Sequence, residues 1–341
     1  MSCNDTGTGA SGLWEVVKGN TKIESLDVFL HFFAATGVPE NSMPNLKSLS
    51  VQKAWYDTTA SADNACALNA MKLSSNIVRL RVFAKLNPAT LLQIPVLCPH
   101  ITSLALSFSD VSDAVLRSIT AACPHIVHLD LHRNHELTDT GILSVAKNLK
   151  RLQCLNILDI PALTDASLKH IYTHCANTLH TLFFGSCNDG GAMFGAEAVN
   201  TLLQRCTLLR VVRFEEDHYM EPVPEGIDLL PAVFEKLTTL IMLGVTCEKT
   251  LPIVARYATN LQKLYIADFT HLSLMPLWNG CPSLTELHVC FKTNEDWGDD
   301  WGNDYGTFAR FAVNTWMKVR PGLLILRYTE DQWNLKVTEM F

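Results

Sequence analysis

Long apolar runs, basic clusters and paired cysteines are all missing from this 341-residue sequence. The longest apolar run, VFLHFFAATGV over residues 28–38, is too short to span a bilayer, and no basic stretch precedes an apolar one near the N-terminus. No run of Lys or Arg occurs among 27 basic and 34 acidic residues, which leave a formal net charge of −7. We therefore expect no membrane span, no leader peptide and no direct contact with nucleic acid.

The cysteines do not form a disulfide pattern. There are eleven, an odd number, in a long chain, and none belongs to a C-x-x-C pair. This usage is typical of reduced, mostly buried thiols. We expect a cytoplasmic protein, with a nuclear or cytoskeletal association as the alternative location.

Catalytic and metal-binding motifs are also missing. The sequence contains no GxSxG, no HExxH, no phosphate loop and no dinucleotide fingerprint. Four histidines cluster at residues 125–135, but His128 and His132 would lie about 13 Å apart along a strand, too far for one zinc ion. We expect no enzyme, no metal site and no cofactor, and a GTPase-activating role has no residue to support it.

A repeat of apolar residues runs through the chain, whose composition is 48% hydrophobic. Each match has an apolar residue, two others, a second apolar residue, one other and a third, so its last two apolar positions alternate as in a half-buried strand. The first residues of successive matches lie 23 to 31 positions apart, and the last two lie 39 apart. They are Ile23, Leu46, Ile77, Ile101, Ile126, Leu152, Leu179, Leu209, Leu237, Leu261, Leu284 and Leu323.

Helix signals occupy the segments between these predicted strands. Thr138-Asp139 can cap the first amides of a helix whose apolar face begins at Ile142. Ser112-Asp113 and Thr164-Asp165 occupy the same place in the neighbouring repeats. Each repeat is therefore predicted to be a strand, a turn and a helix.

Five cysteines recur just before a strand. Cys98, Cys123, Cys206 and Cys281 lie three residues before the first apolar position, and Cys175 lies four before it. At this point the helix returns towards the sheet, and a small apolar thiol fills a tight space. Three of the five are followed by proline, which ends the helix.

The segment CPHIVHLDLHRNHELTDTGILSVAKNL, residues 123–149, resembles the cysteine-containing leucine-rich repeats of F-box substrate receptors of ubiquitin ligases and their relatives. The resemblance implies an α/β solenoid of about twelve repeats, with a concave parallel sheet and outer helices. Asn134 and Cys187 match the family's ladder position, whereas Ser109, Ile160, Asp217 and Phe269 depart from it. Residues 1–22 are few and polar, so we expect a tail or cap there rather than an F-box, in a complete chain or in a fragment of a longer one. Residues 23–341 would form the solenoid, with insertions near 215–233 and 292–306.

The solvent-facing strand positions form the predicted partner-binding surface. Aromatic side chains beside charged ones on a rigid sheet are typical of interface hot spots, although some residues must be exposed on any sheet. The candidates are Arg79, Arg81, Phe83, Phe108, His128, Asp130, His132, Arg133, Asn156, Asp159, Phe183, Arg213, Glu215 and Tyr265.

Two insertions should project from one rim of the sheet. The first contains Asp217 and Tyr219, and the second contains EDWGDDWGNDYG, residues 295–306, with Trp297, Trp301 and Tyr305. Glycine at 298, 302 and 306 disfavours a helix in the second insertion. Its aromatic residues would either cover the C-terminal edge of the solenoid or dock a basic segment of a partner.

The sequence therefore predicts a non-enzymatic protein–protein interaction module. The leading version is a substrate- or partner-recognition subunit that binds protein partners, with basic surfaces among them, and joins an adaptor or a larger complex. The alternative is a structural subunit of a large assembly, such as a cytoskeletal, ciliary or organellar ribonucleoprotein complex.

Overall fold

The computed structural model describes residues 20–33, 39–53, 60–109, 111–185, 194–215, 234–243, 254–267, 277, 280–290 and 324–328. The chain divides into two compact units, Met1–Thr178 and Leu179–Phe341. Each unit contains a parallel sheet whose strands follow one another in chain order.

The first unit is built on six described strands. Neighbouring strands pair in parallel, and their register aligns the middle apolar residue of every repeat, from Leu26 to Leu155, in one buried row. The strands are β1 (Ser25–Phe29), β2 (Ser48–Gln52), β3 (Arg79–Phe83), β4 (Ser103–Ala105), β5 (His128–Asp130) and β6 (Cys154–Leu158).

Helices separate these strands, as the repeat predicts. A 3-10 helix, Leu30–Phe33, follows β1. The α-helices are α1 (Ala60–Met71), α2 (Pro88–Leu91), α3 (Ile94–Leu97), α4 (Asp113–Ala122), α5 (Asp139–Asn148) and α6 (Asp165–His174). The helical segment between β3 and β4 is split in two because Pro88 and Pro95 each start a new short helix.

The predicted helix starts are confirmed, although the Ser112 side chain makes no cap hydrogen bond, and the starts also connect neighbouring repeats. The Thr138 and Thr164 side chains accept hydrogen bonds from the amides of Thr140 and Ala166. Each threonine hydroxyl in turn donates to the aspartate that begins the preceding helix, at 2.6 Å from Oδ2 of Asp113 or Asp139. One carboxylate therefore ties the start of its own helix to the start of the next.

The second unit repeats the strand pattern. Its described strands are β7 (Thr181–Gly185), β8 (Val211–Glu215), β9 (Thr239–Leu243), β10 (Lys263–Ala267), β11 (Glu286–Cys290) and β12 (Leu324–Tyr328), paired in parallel. Helix α7 (Ala196–Arg205) lies between β7 and β8. All twelve predicted strands are therefore confirmed in position. The last triplet is wrong in register by one residue, because Leu287 aligns with Ile325 rather than with Leu326. Of the helices that the structure describes, none is long and apolar enough to cross a membrane.

The recurring cysteines lie in the core, as predicted. Cys98, Cys123, Cys175, Cys206 and Cys281 are reduced thiols that form no disulfide, and all five are buried. Burial raises the pKa of Cys98 to about 12 and that of Cys175 to about 11. Because the thiolate is the reactive form, these side chains serve as packing groups rather than nucleophiles.

Asn134 acts as the ladder residue of its turn. Its side-chain amide donates to the carbonyl oxygens of Leu106 and Leu131, both at 2.8 Å, and its Oδ1 accepts from the Val111 amide at 2.9 Å. Ser109, at the same position one repeat earlier, donates from its hydroxyl to the Ala84 carbonyl at 2.9 Å. The serine thus still ties its turn to the preceding repeat.

Candidate protein-interaction surface

The face of the first unit's sheet opposite the leucine row carries the open part of the candidate surface. On β3, exposed Arg79 and partly exposed Arg81 and Phe83 alternate with buried Leu80 and Val82. His128 on β5 is partly exposed as well. These four residues lie where the alternation of the strands predicts them.

Five other candidates are buried, so the prediction that they face solvent is wrong. Exposure is 5% for Asp130, 6% for Asn156, 3% for Asp159, 1% for Phe183 and 2% for Tyr265. Strand alternation identifies the side of the sheet on which a residue lies, but neighbouring strands are only about 4.8 Å apart. Adjacent side chains on that side can therefore bury one another.

The buried side chains of Asp130 and Asn156 each accept a hydrogen bond from the amide two residues further along the chain. The His132 amide donates to Asp130 Oδ1 at 2.9 Å, and the Leu158 amide donates to Asn156 Oδ1 at 3.1 Å. Burial raises the pKa of Asp130, although the hydrogen bond from the His132 amide acts in the opposite direction. Both side chains therefore hold the backbone turn in place.

In the second unit, large side chains cover one another. The Arg213 guanidinium carbon lies 5.8 Å from the centroid of the Phe183 ring. The Tyr265 and His288 rings stack with centroids 3.8 Å apart and planes 11° from parallel. Of the remaining candidates, Arg213 is partly exposed and Glu215 ends β8. The side chain of Glu215 and the rim residues Asp217, Tyr219, Trp297, Trp301 and Tyr305 lie outside the described residues.

Just beyond β4, β5 and β6, three residues occupy equivalent positions with an unusual backbone. Phe108, Arg133 and Asp159 have positive φ angles of 60°, 58° and 53°. This left-handed conformation is uncommon for residues other than glycine. The amides of Phe108 and Arg133 donate to the carbonyls of His132 and Leu158, both at 3.1 Å, which fixes each turn against the next repeat.

Together with His132, these residues form what we call the strand-end cluster: Phe108, His132, Arg133 and Asp159. Asp159 Oδ2 lies 3.2 Å from Arg133 Nε and 3.1 Å from His132 Nε2. The Arg133 guanidinium carbon lies 5.2 Å from the centroid of the Phe108 ring, and the His132 ring meets that ring edge-on at 5.4 Å.

The strand-end cluster has a buried carboxylate at one side and an exposed aromatic ring at the other. Asp159 is 3% exposed, whereas Phe108 is 39% exposed. A buried carboxylate therefore holds two polar side chains beside an accessible aromatic ring. The sequence indicates all four residues as surface candidates, but it does not predict their convergence or the left-handed turns. The spacing of 25 and 26 residues between Phe108, Arg133 and Asp159 is the signal that could have indicated both.

The described part of the chain offers no grouping of three or more His, Cys, Asp or Glu residues that could hold a metal ion. The described part of the second unit carries an ion pair on the sheet. Glu286 lies 3.0 Å from Lys263 Nζ and 3.1 Å from His288 Nε2. The hydrogen bond from Lys263 lowers the pKa of Glu286, with a smaller contribution from His288 against the opposing effect of burial. This carboxylate is therefore an ionised partner of Lys263 near neutral pH.

Regular alternation of parallel strands and helices, with the Asn134 ladder turn, defines an α/β leucine-rich-repeat solenoid. A family model described as a leucine-rich repeat matches residues 122–146, which contain β5 and Asn134. The chain is therefore similar to leucine-rich-repeat proteins, and an F-box protein is among its relatives.

One such relative is the F-box protein FBX14 of Arabidopsis thaliana, which is 26% identical over 246 residues. The match covers 67% of this chain but only 37% of the length of that protein. Among solved structures, the leucine-rich-repeat protein LegL7 of Legionella pneumophila is 15% identical, with a TM-score of 0.48 and coverage of 85% of this chain and 97% of LegL7. A chain from the yeast Rad7–Elc1 complex is 12% identical, with a TM-score of 0.41 and coverage of 94% of this chain and 88% of that one.

Proposed function

We propose that this chain is a non-enzymatic recognition subunit that binds a protein partner through the first unit. The contact surface would be the strand-end cluster together with the exposed residues of β3. The observation that carries this proposal is the arrangement around Asp159, which holds Arg133 and His132 beside the exposed Phe108 ring.

The geometry of the strand-end cluster suits an interface hot spot. Aromatic and arginine side chains dominate binding energy at interfaces, and residues already held in place lose less conformational entropy on binding. Arg133 is held by a buried carboxylate on one side and lies over an aromatic ring on the other. A partner would therefore meet a surface that is largely ordered before contact.

A more specific form of the proposal is a substrate-receptor role of the F-box type in the cytoplasm. The likeness to an F-box protein over 246 residues supports it. In this form, the contact with a ligase adaptor would be made by another chain or by a region outside the match.

Affinity purification with mass spectrometry tests the proposal. We expect the wild-type chain to retain one or more protein partners, and we expect Phe108→Ala to lose most of that binding. Val96→Ala is the matched control, because Val96 is a 69% exposed apolar residue on α3, outside the proposed surface. Equal retention by both variants would overturn the proposed surface, and turnover of a substrate by the purified chain would overturn the non-enzymatic role.

Quantitative sedimentation separates the receptor from the structural subunit. A receptor should be found partly free and with several clients, whereas a structural subunit should co-sediment at a fixed ratio with a single assembly. A fixed ratio would therefore overturn the receptor form of the proposal.

A further inference from the structure

Strand β3 carries two arginines on the open side of the first unit's sheet, between strands of small side chains. Arg79 is aligned with Ser48 on β2 and with Ser103 on β4, and Arg81 is aligned with Ser50 and Ala105 on the same strands. The two guanidinium groups therefore lack large neighbours in their own rows of the adjacent strands.

Within the described part of the chain, neither arginine has an anionic partner. No described residue forms a hydrogen bond or ion pair with Arg79 or Arg81, in contrast to Arg133, which pairs with Asp159. The acids in the row of Arg81 lie two strands away on either side, about 10 Å in each direction. Of these, Asp27 accepts a hydrogen bond from Gln52 at 3.2 Å, and Asp130 is buried against its own turn.

His128 lies two strands from Arg79 in the same row and carries no negative charge that could pair with either arginine. Burial, and then the positive charge of Arg79, lower the pKa of His128. The imidazole is therefore neutral near pH 7 and can act as a hydrogen-bonding neighbour. The unpaired charge of this patch is positive, although the whole chain carries a formal charge of −7.

The spacing along β3 is regular. Arg79, Arg81 and Phe83 alternate with buried residues, so they lie on one side of the sheet at intervals of about 6.6 Å. An extended segment lying along β3 presents its own alternate side chains at the same interval. Two carboxylates two residues apart would each reach one arginine, and an apolar side chain two residues further on would reach Phe83.

We infer that Arg79, Arg81 and Phe83 form a docking row for an extended acidic segment of a partner protein. The segment has Asp or Glu at two alternate positions and an apolar residue at the next alternate position. Arginine suits this role because its planar guanidinium binds carboxylates through two parallel hydrogen bonds. The inference rests on the proposed partner-binding function and specifies the chemistry of one partner contact.

Fluorescence anisotropy with the full chain tests the docking row. The probe is a labelled peptide containing Glu-Ser-Glu-Ser-Phe between Gly-Ser flanks, and the comparison peptide has the same composition with its two glutamates adjacent. We expect the alternating peptide to bind about tenfold more tightly, because adjacent side chains of an extended segment lie on opposite sides. Binding should weaken as ionic strength rises.

Variants of the chain locate the binding site. Arg79→Ala combined with Arg81→Ala should reduce the affinity at least about tenfold, since each arginine provides a charge-assisted contact. Arg117→Ala, an exposed arginine on α4, is the matched control and should bind as wild type does. Thermal melting of both variants should match wild type, because these positions are solvent-accessible.

The inference would be overturned by no peptide binding, by equal binding of both peptides, or by unchanged binding of the double variant. Equally tight binding of a single-stranded oligonucleotide would also overturn it, since the row would then bind any polyanion. Failure of the proposed function has a different signature, because the wild-type chain would then retain no protein partner in the affinity purification. If wild type retains a partner that the double variant retains equally, the recognition role stands and only the docking row fails.

Discussion

A single carboxylate, that of Asp159, holds both polar side chains of the strand-end cluster. Exposed ion pairs contribute about 0–1 kcal/mol, but Asp159 is 3% exposed and its Oδ2 contacts both Arg133 and His132. Asp159 also has a φ of 53°, which aspartate and asparagine tolerate better than most residues do. This residue, which the sequence suggests as a surface contact, is therefore a structural support.

Replacement of Asp159 by alanine or asparagine separates the contribution of the carboxylate contacts from that of the backbone preference for a positive φ angle. We expect Asp159→Ala to lower the free energy of unfolding by about 2 kcal/mol, because it removes a buried hydrogen-bonded group and disfavours the left-handed turn. Asp159→Asn should cost less, since it keeps an acceptor and the backbone preference. Urea denaturation followed by circular dichroism measures both. A change within about 0.5 kcal/mol for the alanine variant would indicate an ordinary surface position instead.

At the scale of elements, hydrogen bonds between the starts of successive helices connect one repeat to the next. Asp139 begins α5 and accepts hydrogen bonds from both the amide and the hydroxyl of Thr164 and Ser167 in the following repeat. The sequence predicts the threonine–aspartate pairs as helix caps, and the structure confirms both. The link between repeats could not be predicted from one repeat, because it depends on how closely successive helices pack.

The Asp139 link should make stability depend on pH. Burial acts to raise the pKa of Asp139, but hydrogen bonds from Ser167 and Thr164 outweigh it and hold the pKa below the ordinary value. A depressed pKa in the folded state gives stability that is complete above the unfolded pKa of about 4 and is lost as the pH falls through the folded pKa.

We therefore expect the free energy of unfolding of wild type to fall below about pH 4 more steeply than that of Asp139→Asn. Glu136→Gln, at an exposed position, is the control and should follow wild type. Urea titrations over a pH series measure the slopes. Identical slopes for wild type and Asp139→Asn would show that the carboxylate charge does not contribute to the link.

At the scale of the whole molecule, the repeat pattern predicts the fold well because its signal is periodic. All twelve described strands occur where an apolar triplet predicts them, and the middle residues of those triplets in the first unit form one buried row. The surface is predicted less well, because exposure depends on neighbours that are distant in sequence. Phe183, Tyr265 and Asp159 lie on the predicted side of the sheet, yet other side chains or their own turns bury them.

Close approach between distant segments of the backbone is, like exposure, difficult to predict from a single sequence. Gly280 lies so near the backbone of Ala255 that a Cβ atom at that position would collide with the Ala255 carbonyl. The sequence shows only a glycine before Cys281 and Pro282, which also suits the end of a helix. The requirement for glycine becomes visible only when two repeats are placed together.

Alkylation of the five core cysteines can report the unfolding of each repeat that contains one of them. The five thiols are buried, and burial raises the pKa of Cys98, Cys123 and Cys175, so alkylation in the folded state should be slow at each of the five. We expect iodoacetamide to modify them only as urea unfolds the chain, with peptide mass spectrometry resolving each site. Cys154, a partly exposed cysteine on β6, is the internal control and should react before the five. Rapid modification of Cys98 or Cys175 without urea would contradict their place in the core, and with it the repeat alignment that puts a thiol at the same point of each turn.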